Sequence, residues 1–449
     1  MTLIAERPPL GEPRPFTFPG FTRARLDNGL TVLGCHLPGR PLGAAMLVVE
    51  AGAEVEEPAK GGVAALAARA LSEGTQRKDA GAFAEAVEGI GAELQASANW
   101  DSLAASVSVS VRRLPEALVL LAEAVTEPAF PDAEIERLRE ERQNRIRQMM
   151  ANPRSRAFPA FWSAVFAPNG PYGRDAAGTM ETVGSLARDD VAAFHAARFA
   201  PSRATLVITG DLGDVDAASM AADAFDSWTA EPAAAEVTEP VARATPTAVT
   251  LIDRPGSVQS NLLIGQAGVP RASGDHLALD LVMEVLGGMF NSRLNLLLRE
   301  QKGYSYGVGG ASDPLRHGGF AMITSAVQTP HTAESVADIV DGLRAMAERG
   351  VTVTELGDAR DYQLGVFPLR NETPQQIASL IGTLAVYGLP DETYDVERER
   401  LRALSTDEVD AVAARVLRPD ALAVVVVGDA EQIELRDAGF GPVTVVSDG

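Results

Sequence analysis

Five histidines and one cysteine are the side chains in this 449-residue sequence that could offer zinc an imidazole or a thiolate. A catalytic zinc ion takes three protein ligands and keeps one position open for water; two of the ligands commonly sit one helical turn apart. His36, His195, His276, His317 and His331 have no His or Cys three or four residues away. Cys35 stands alone, so a thiolate cluster and an intrachain disulfide are both excluded. LVITGDL and VVVVGDA look like strands running into nucleotide loops. A pyrophosphate needs backbone amides presented by G-x-G-x-x-G, which neither segment has, so both are read as strand ends. Arg299 precedes Tyr306 by seven residues, with Gly303 between them. On residue type alone, Arg299 caps a helix through its last carbonyls and Tyr306 packs at a strand start.

The elements that hold these residues come in two copies. Leu186–Asp211 (LARDDVAAFHAARFAPSRATLVITGD) aligns without a gap with Leu404–Asp429 (LSTDEVDAVAARVLRPDALAVVVVGD), 218 positions later. Each reads as an amphipathic helix, a proline, then an apolar strand ending in Gly-Asp. Ala133-Glu134-Ile135 leading to Pro153 matches Thr354-Glu355-Leu356 leading to Pro374, 221 positions later. So long a period predicts two homologous domains and not a solenoid. The expected division is an extended arm over 1–20, a first domain over 21–230, an Ala/Pro/Glu-rich linker over 231–246 and a second domain over 247–449. Residues 29–33 and 45–49 are β-like, 63–71 and 82–90 helical, 97–111 one alternating Ala/Val–Ser strand, and 134–150 a long charged helix, read as a solvated face. Strand blocks and helix blocks separate, which predicts α+β: in each domain a largely antiparallel sheet packed with helices. Gly287-Gly288 and Gly309-Gly310 are read as helix termination and hairpin turning.

There are 61 acidic and 39 basic side chains, a net charge of -22, so phosphate backbones are repelled and nucleic-acid binding is not expected. No apolar run approaches the ~18 residues of a membrane span, and Glu6 with five prolines replaces the apolar stretch of a signal peptide. A cytoplasmic location is expected.

Four segments, in order, carry a resemblance: LDNGLTVL, the Gly61–Thr75 stretch GGVAALAARALSEGT, FPDAEIERLREERQNRIRQ and LGGMFNSRLNLLLREQKGYSYGV. From about Phe21 to Asp429 the chain resembles the pitrilysin/insulinase family of zinc peptidases. In active members an HxxEH helix and a distant Glu bind zinc and supply a base. Here Ala65, Ala68 and Arg69 occupy the HxxEH positions, Arg145 falls at the third ligand and Leu138 where a supporting Glu is common, with uncharged Asn144 next to Arg145. Alanine has no lone pair to offer, and a guanidinium has five donors and no acceptor. The resemblance therefore implies no metal in this chain and a non-catalytic role. It further implies that Arg299 and Tyr306 form a substrate-binding and oxyanion-stabilising pair that reaches a partner's active site. The expected partner is a homologous HxxEH-bearing subunit with its own zinc, the expected substrate an extended peptide, and the expected shape one half of a clamshell. A scaffold without proteolysis and a homodimeric peptide-binding chamber are the alternatives.

Overall fold

The structure, a computed structural model, describes residues 15–168, 170–233, 239–243, 245–435 and 439–447. Most of the expected arm (1–14) and part of the expected linker (234–238 and 244) lie outside the described residues.

Two six-stranded sheets form the framework. The first comprises β1 (Thr22–Arg25), β2 (Thr31–His36), β3 (Leu42–Val49), β4 (Glu93–Ala98), β5 (Leu103–Ser110) and β6 (Ala204–Gly210), in the order β1-β2-β6-β3-β5-β4. The second comprises β7 (Ala248–Asp253), β8 (Gln259–Ala267), β9 (Ser305–Pro314), β10 (Gly319–Gln328), β11 (Ala423–Gly428) and β12 (Val443–Ser447), in the order β12-β7-β11-β8-β10-β9. Five positions correspond one for one. The sixth differs: β1 is antiparallel to β2, whereas β12 is parallel to β7. Both sheets are mixed but mainly antiparallel, with parallel pairs at β2–β6, β7–β11 and β7–β12. The edges β4 and β9 lie at equivalent ends.

The repeat spacing reappears in the elements. The helices Arg188–Arg198 and Thr406–Val416 stand 218 positions apart. The helices Asp132–Ala151 and Val353–Leu369 begin 221 positions apart, as do Pro153–Val165 and Pro374–Tyr387. The last two start alike, with proline in the first turn after a capping side chain. Asn152 accepts from the N–H groups of Arg154 and Ser155, and Thr373 from that of Gln376.

These two helices cross over. Ala157, Phe161 and Val165 of the first pack on Leu263, Val425 and Val427 of the second sheet. Ile377, Ala378, Ile381 and Leu384 of the other pack on Leu33, Cys35 and Val207 of the first sheet. Each half thus covers a face of the other's sheet, so burial of the two cores is coupled. Asp101 adds a polar tie, accepting from the Tyr172 hydroxyl at 2.5 Å and the Arg316 N–H at 3.0 Å. Phe18, from the expected arm, is buried against Tyr394, and its N–H donates to Asp395 at 2.9 Å.

Three local expectations are corrected. Residues 97–111 are not one strand: β4 and β5 form a hairpin around Asn99–Ser102, and the Asn99 side chain accepts from the Asp101 and Ser102 N–H groups. Gly29 lies in the turn before β2, with φ +94°. Gly309 and Gly310 do not turn a hairpin; they lie inside β9. A Cβ on Gly310 would stand 2.7 Å from the Met283 carbonyl and 2.9 Å from the Gly287 Cα, so the glycines allow a helical turn to touch the strand backbone.

Candidate functional site

In the first half, the helix Val63–Ala70 starts at Gly62, whose φ of +95° is left-handed and whose absent Cβ would meet the Ala177 carbonyl at 2.8 Å. Lacking a capping side chain of its own, this motif helix takes one from Glu56, which accepts from the Gly62 and Ala64 N–H groups, the latter at 2.8 Å. Burial pushes the Glu56 carboxyl up to about 7, opposed by those N–H groups and by Arg174.

The structure brings Ala65, Arg69 and Arg145 together. They line a cavity of about 520 Å³ between the motif helix, the helix Asp132–Ala151 and the edge strand β4. Leu138 and Asn144 line it as well. Ala68 does not face it but packs in the core at 1% exposure. The donor set does not fit zinc: it consists of two methyl groups and two guanidiniums. Among the described residues, no three His, Cys, Asp or Glu side chains converge as a metal site.

Arg69 and Arg145 make no hydrogen bond or ion pair with a described side chain. Their neighbours are engaged. Arg142 donates to the Ala177 carbonyl at 2.9 Å and lies 3.5 Å from Asp175. Glu141 is held by Arg137 at 2.5 Å, and Asn144 accepts from Arg147. Burial, and then the charge of Arg145, holds Arg142 below the usual guanidinium range.

In the second half, Arg299 lies in the π-helical segment Asn295–Gln301 and Tyr306 is the second residue of β9. Arg299 does not cap its own helix. Its guanidinium stacks 3.7 Å from the centroid of the Phe290 ring and donates to the Phe290 carbonyl at 3.1 Å and to Glu300 at 2.8 Å. Phe290 itself is 77% exposed. Tyr306 does not pack at the strand start; it is 93% exposed. It borders a cavity of about 360 Å³ whose far wall includes Arg154 and Phe158 of the crossed-over helix. No hydrogen bond joins Arg299 to Tyr306 among the described residues. Tyr304, by contrast, is used internally: its ring stacks on His331 at 3.7 Å and its hydroxyl donates to Glu334 at 3.0 Å.

Sequence reasoning missed a second polar cavity, of about 330 Å³, between the helices His276–Met283, Val353–Leu369 and Thr393–Ala403 and the edge strand β9. Arg271 grips Glu397 through two hydrogen bonds of 2.6 and 3.0 Å. His276 lies 2.6 Å from the Ser273 carbonyl through Nδ1 and 3.0 Å from Glu397 through Nε2. Burial pushes Asp280 up to about 6, against the charges of His276 and Arg271. Arg398, 3% exposed, leaves Nε and Nη2 without a partner in the same lining. The available signal was His276 and Asp280 one turn apart on a helix.

Residues 32–179 match the family described as insulinase (peptidase family M16), and residues 185–362 match the peptidase M16 inactive domain. The chain belongs to peptidase family M16. An uncharacterized zinc protease of Streptomyces coelicolor is 23% identical over 422 residues, covering 93% of this chain and 92% of the relative. The non-peptidase homolog YmxG of Helicobacter pylori is 26% identical over 374 residues, covering 82% and 85%. Among solved structures, the peptidase M16 inactive domain from Pseudomonas fluorescens superposes with a TM-score of 0.85 at 26% identity, over 92% of this chain and 98% of that one. This M16 chain is an inactive member: it keeps the family fold, and Ala65, Ala68, Arg69 and Arg145 offer no zinc ligand.

Proposed function

We propose that this M16 chain is the non-catalytic subunit of a two-subunit peptidase. Its partner is a homologous chain with an intact HxxEH motif and zinc, and the pair cleaves extended peptides. The observation that carries this reading is Tyr306. A tyrosine almost wholly in solvent, on an edge strand and beside a cavity, does nothing for the fold of its own chain. Its phenol is free to donate to an oxyanion presented by another subunit. Arg299 is held more firmly, since Phe290 and Glu300 take two of its nitrogens and leave Nη1 for a peptide carbonyl. The relatives named as zinc proteases belong to the class from which such a partner would come.

The test mixes the chain with that partner and follows cleavage of a quenched fluorescent peptide. The chain alone is inert and the mixture active. Tyr306→Phe lowers kcat by about 10²-fold, as loss of one oxyanion donor does, and Arg299→Ala raises KM. Cleavage unchanged in both variants rejects the assignment and leaves a scaffold. Peptide binding by a homodimer, with no partner that restores cleavage, leaves a closed binding chamber.

A further inference from the structure

The cavity at the former metal position is not merely empty of ligands; its charge is inverted and left uncompensated. Among the described residues, Arg69 and Arg145 face the same cavity with no ion-pair or hydrogen-bond partner, and Arg142 lies behind them. The one carboxylate in the lining, Glu141, is already held by Arg137. Three guanidiniums around one space repel each other, and Arg145 is among the charges that oppose protonated Arg142. A bound anion would remove that repulsion.

The shape of the cavity says what carries the anion. One wall is Ala96, Ser97 and Ala98 of β4, the edge of the first sheet, whose small side chains leave the strand backbone approachable. An extended peptide laid along such an edge gains main-chain hydrogen bonds and turns alternate side chains toward the helices. The arginine fork matches a carboxylate with two parallel hydrogen bonds. We infer that the former zinc position of this chain is an anion-recognition pocket, in which Arg69 and Arg145 clasp a carboxylate of a peptide lying along β4.

The inference extends the proposed role by giving the peptide a chemical class: acidic near the segment that crosses this subunit. The carboxylate has two possible sources, an acidic side chain or a chain terminus. Its test needs no partner and no cleavage, so it fails or succeeds apart from the Tyr306 assignment. Three fluorescein-labelled octapeptides are titrated with the full chain by anisotropy: one with central Glu-Glu and an amidated end, one with Gln-Gln and an amidated end, and one with Gln-Gln and a free carboxylate.

The Glu-Glu peptide binds at least about tenfold more tightly than its Gln-Gln counterpart. A preference for the free-carboxylate peptide alone assigns the pocket to the terminus and still supports it. In Arg69→Ala/Arg145→Ala, whose truncated side chains are exposed and unpaired, the preference disappears while the thermal melt is retained. Equal binding of all three peptides overturns the inference, as does a preference that survives the double substitution.

Discussion

The cavities beside the two edge strands stand at equivalent places in the duplicated fold and treat charge in opposite ways. In the second half, Arg271 is neutralised from within: it is locked to Glu397, with His276 on the same carboxylate and Asp280 close by, while Arg398 keeps two donors open. In the first half, Arg69 and Arg145 have no such partner among the described residues. Internally paired charge belongs to the packing of a domain, and its removal is felt as stability. Unpaired charge beside an approachable strand edge does nothing for folding, and its removal is felt only by a ligand. Duplication gave the same scaffold twice, and the contrast of paired Arg271 with Arg69 and Arg145 separates packing from site.

The largest effect expected is a gain. Ala65→His, Arg69→His and Arg145→Glu together put two imidazoles one turn apart and a carboxylate across the same cavity. The triple variant should bind zinc at about micromolar Kd, worth ~8 kcal/mol, as measured by calorimetry with zinc chloride. Failure to bind would show that these positions do not converge tightly enough to serve one ion. The next effect is a loss in the other half. Arg271→Ala strands Glu397 in a site where both side chains are mostly buried, and should cost about 3 kcal/mol in urea denaturation. A cost below ~1 kcal/mol would place the second cavity with the first, as a site and not as packing.

Much of this architecture was visible in the residues. The constant offsets of 218 and 221 reappear as equivalent helices and strands because each copy keeps its own caps, prolines and strand ends. The β4–β5 hairpin was hidden because Asn99 makes its turn with a side chain, without glycine or proline, between flanks that alternate small and apolar residues with serine. The crossed-over helices were hidden for another reason. Apolar periodicity shows that Phe161 and Ile381 are buried, but not under which sheet. At the site, Ala65, Arg69 and Arg145 were legible as lost ligands only through the family resemblance; residue type then showed that none of them can bind zinc. That the two arginines lack partners, and that Arg398 is buried with open donors, depends on neighbours far away in sequence and needed the fold.

A pH series sharpens the contrast at a smaller scale. The Asp280 carboxyl is pushed from its ordinary 3.8 up to about 6, first by burial. The groups around it are His276 and Glu284 on its own helix, Arg271 before it, Ser312 on β9, Arg370 beyond the Val353–Leu369 helix, and Glu397 and Arg398 opposite. An acid with a raised folded pKa keeps its proton in the native state after the unfolded chain has released it. Its stabilising contribution is therefore complete below about pH 4 and is lost as pH rises through about 6. Asp280→Asn cannot ionise. It should match the parent near pH 4 and exceed it by about 3 kcal/mol above pH 7. Glu54 and Glu56, both raised to about 7 by burial, act with the same sign in both proteins and cancel in the difference. A difference that is flat with pH would show that Asp280 does not carry the penalty.

The smallest effect expected discriminates best between the two halves. Arg69 and Arg145 are exposed and touch no carboxylate among the described residues, and Arg145 opposes the charge of Arg142, so truncating both removes no interaction that folding uses. Arg69→Ala/Arg145→Ala should change stability by no more than about 0.5 kcal/mol, the ordinary range for surface substitutions. Relief of like-charge repulsion gives the change a stabilising sign, and added salt should shrink it by screening. The comparison is with Arg271→Ala under the same denaturation conditions: one arginine at the second cavity should matter more to folding than two at the first. A loss above about 1 kcal/mol in the double variant would mean that the first cavity's arginines do hold the fold together. The two cavities would then be alike, and the anion pocket would lose its physical basis.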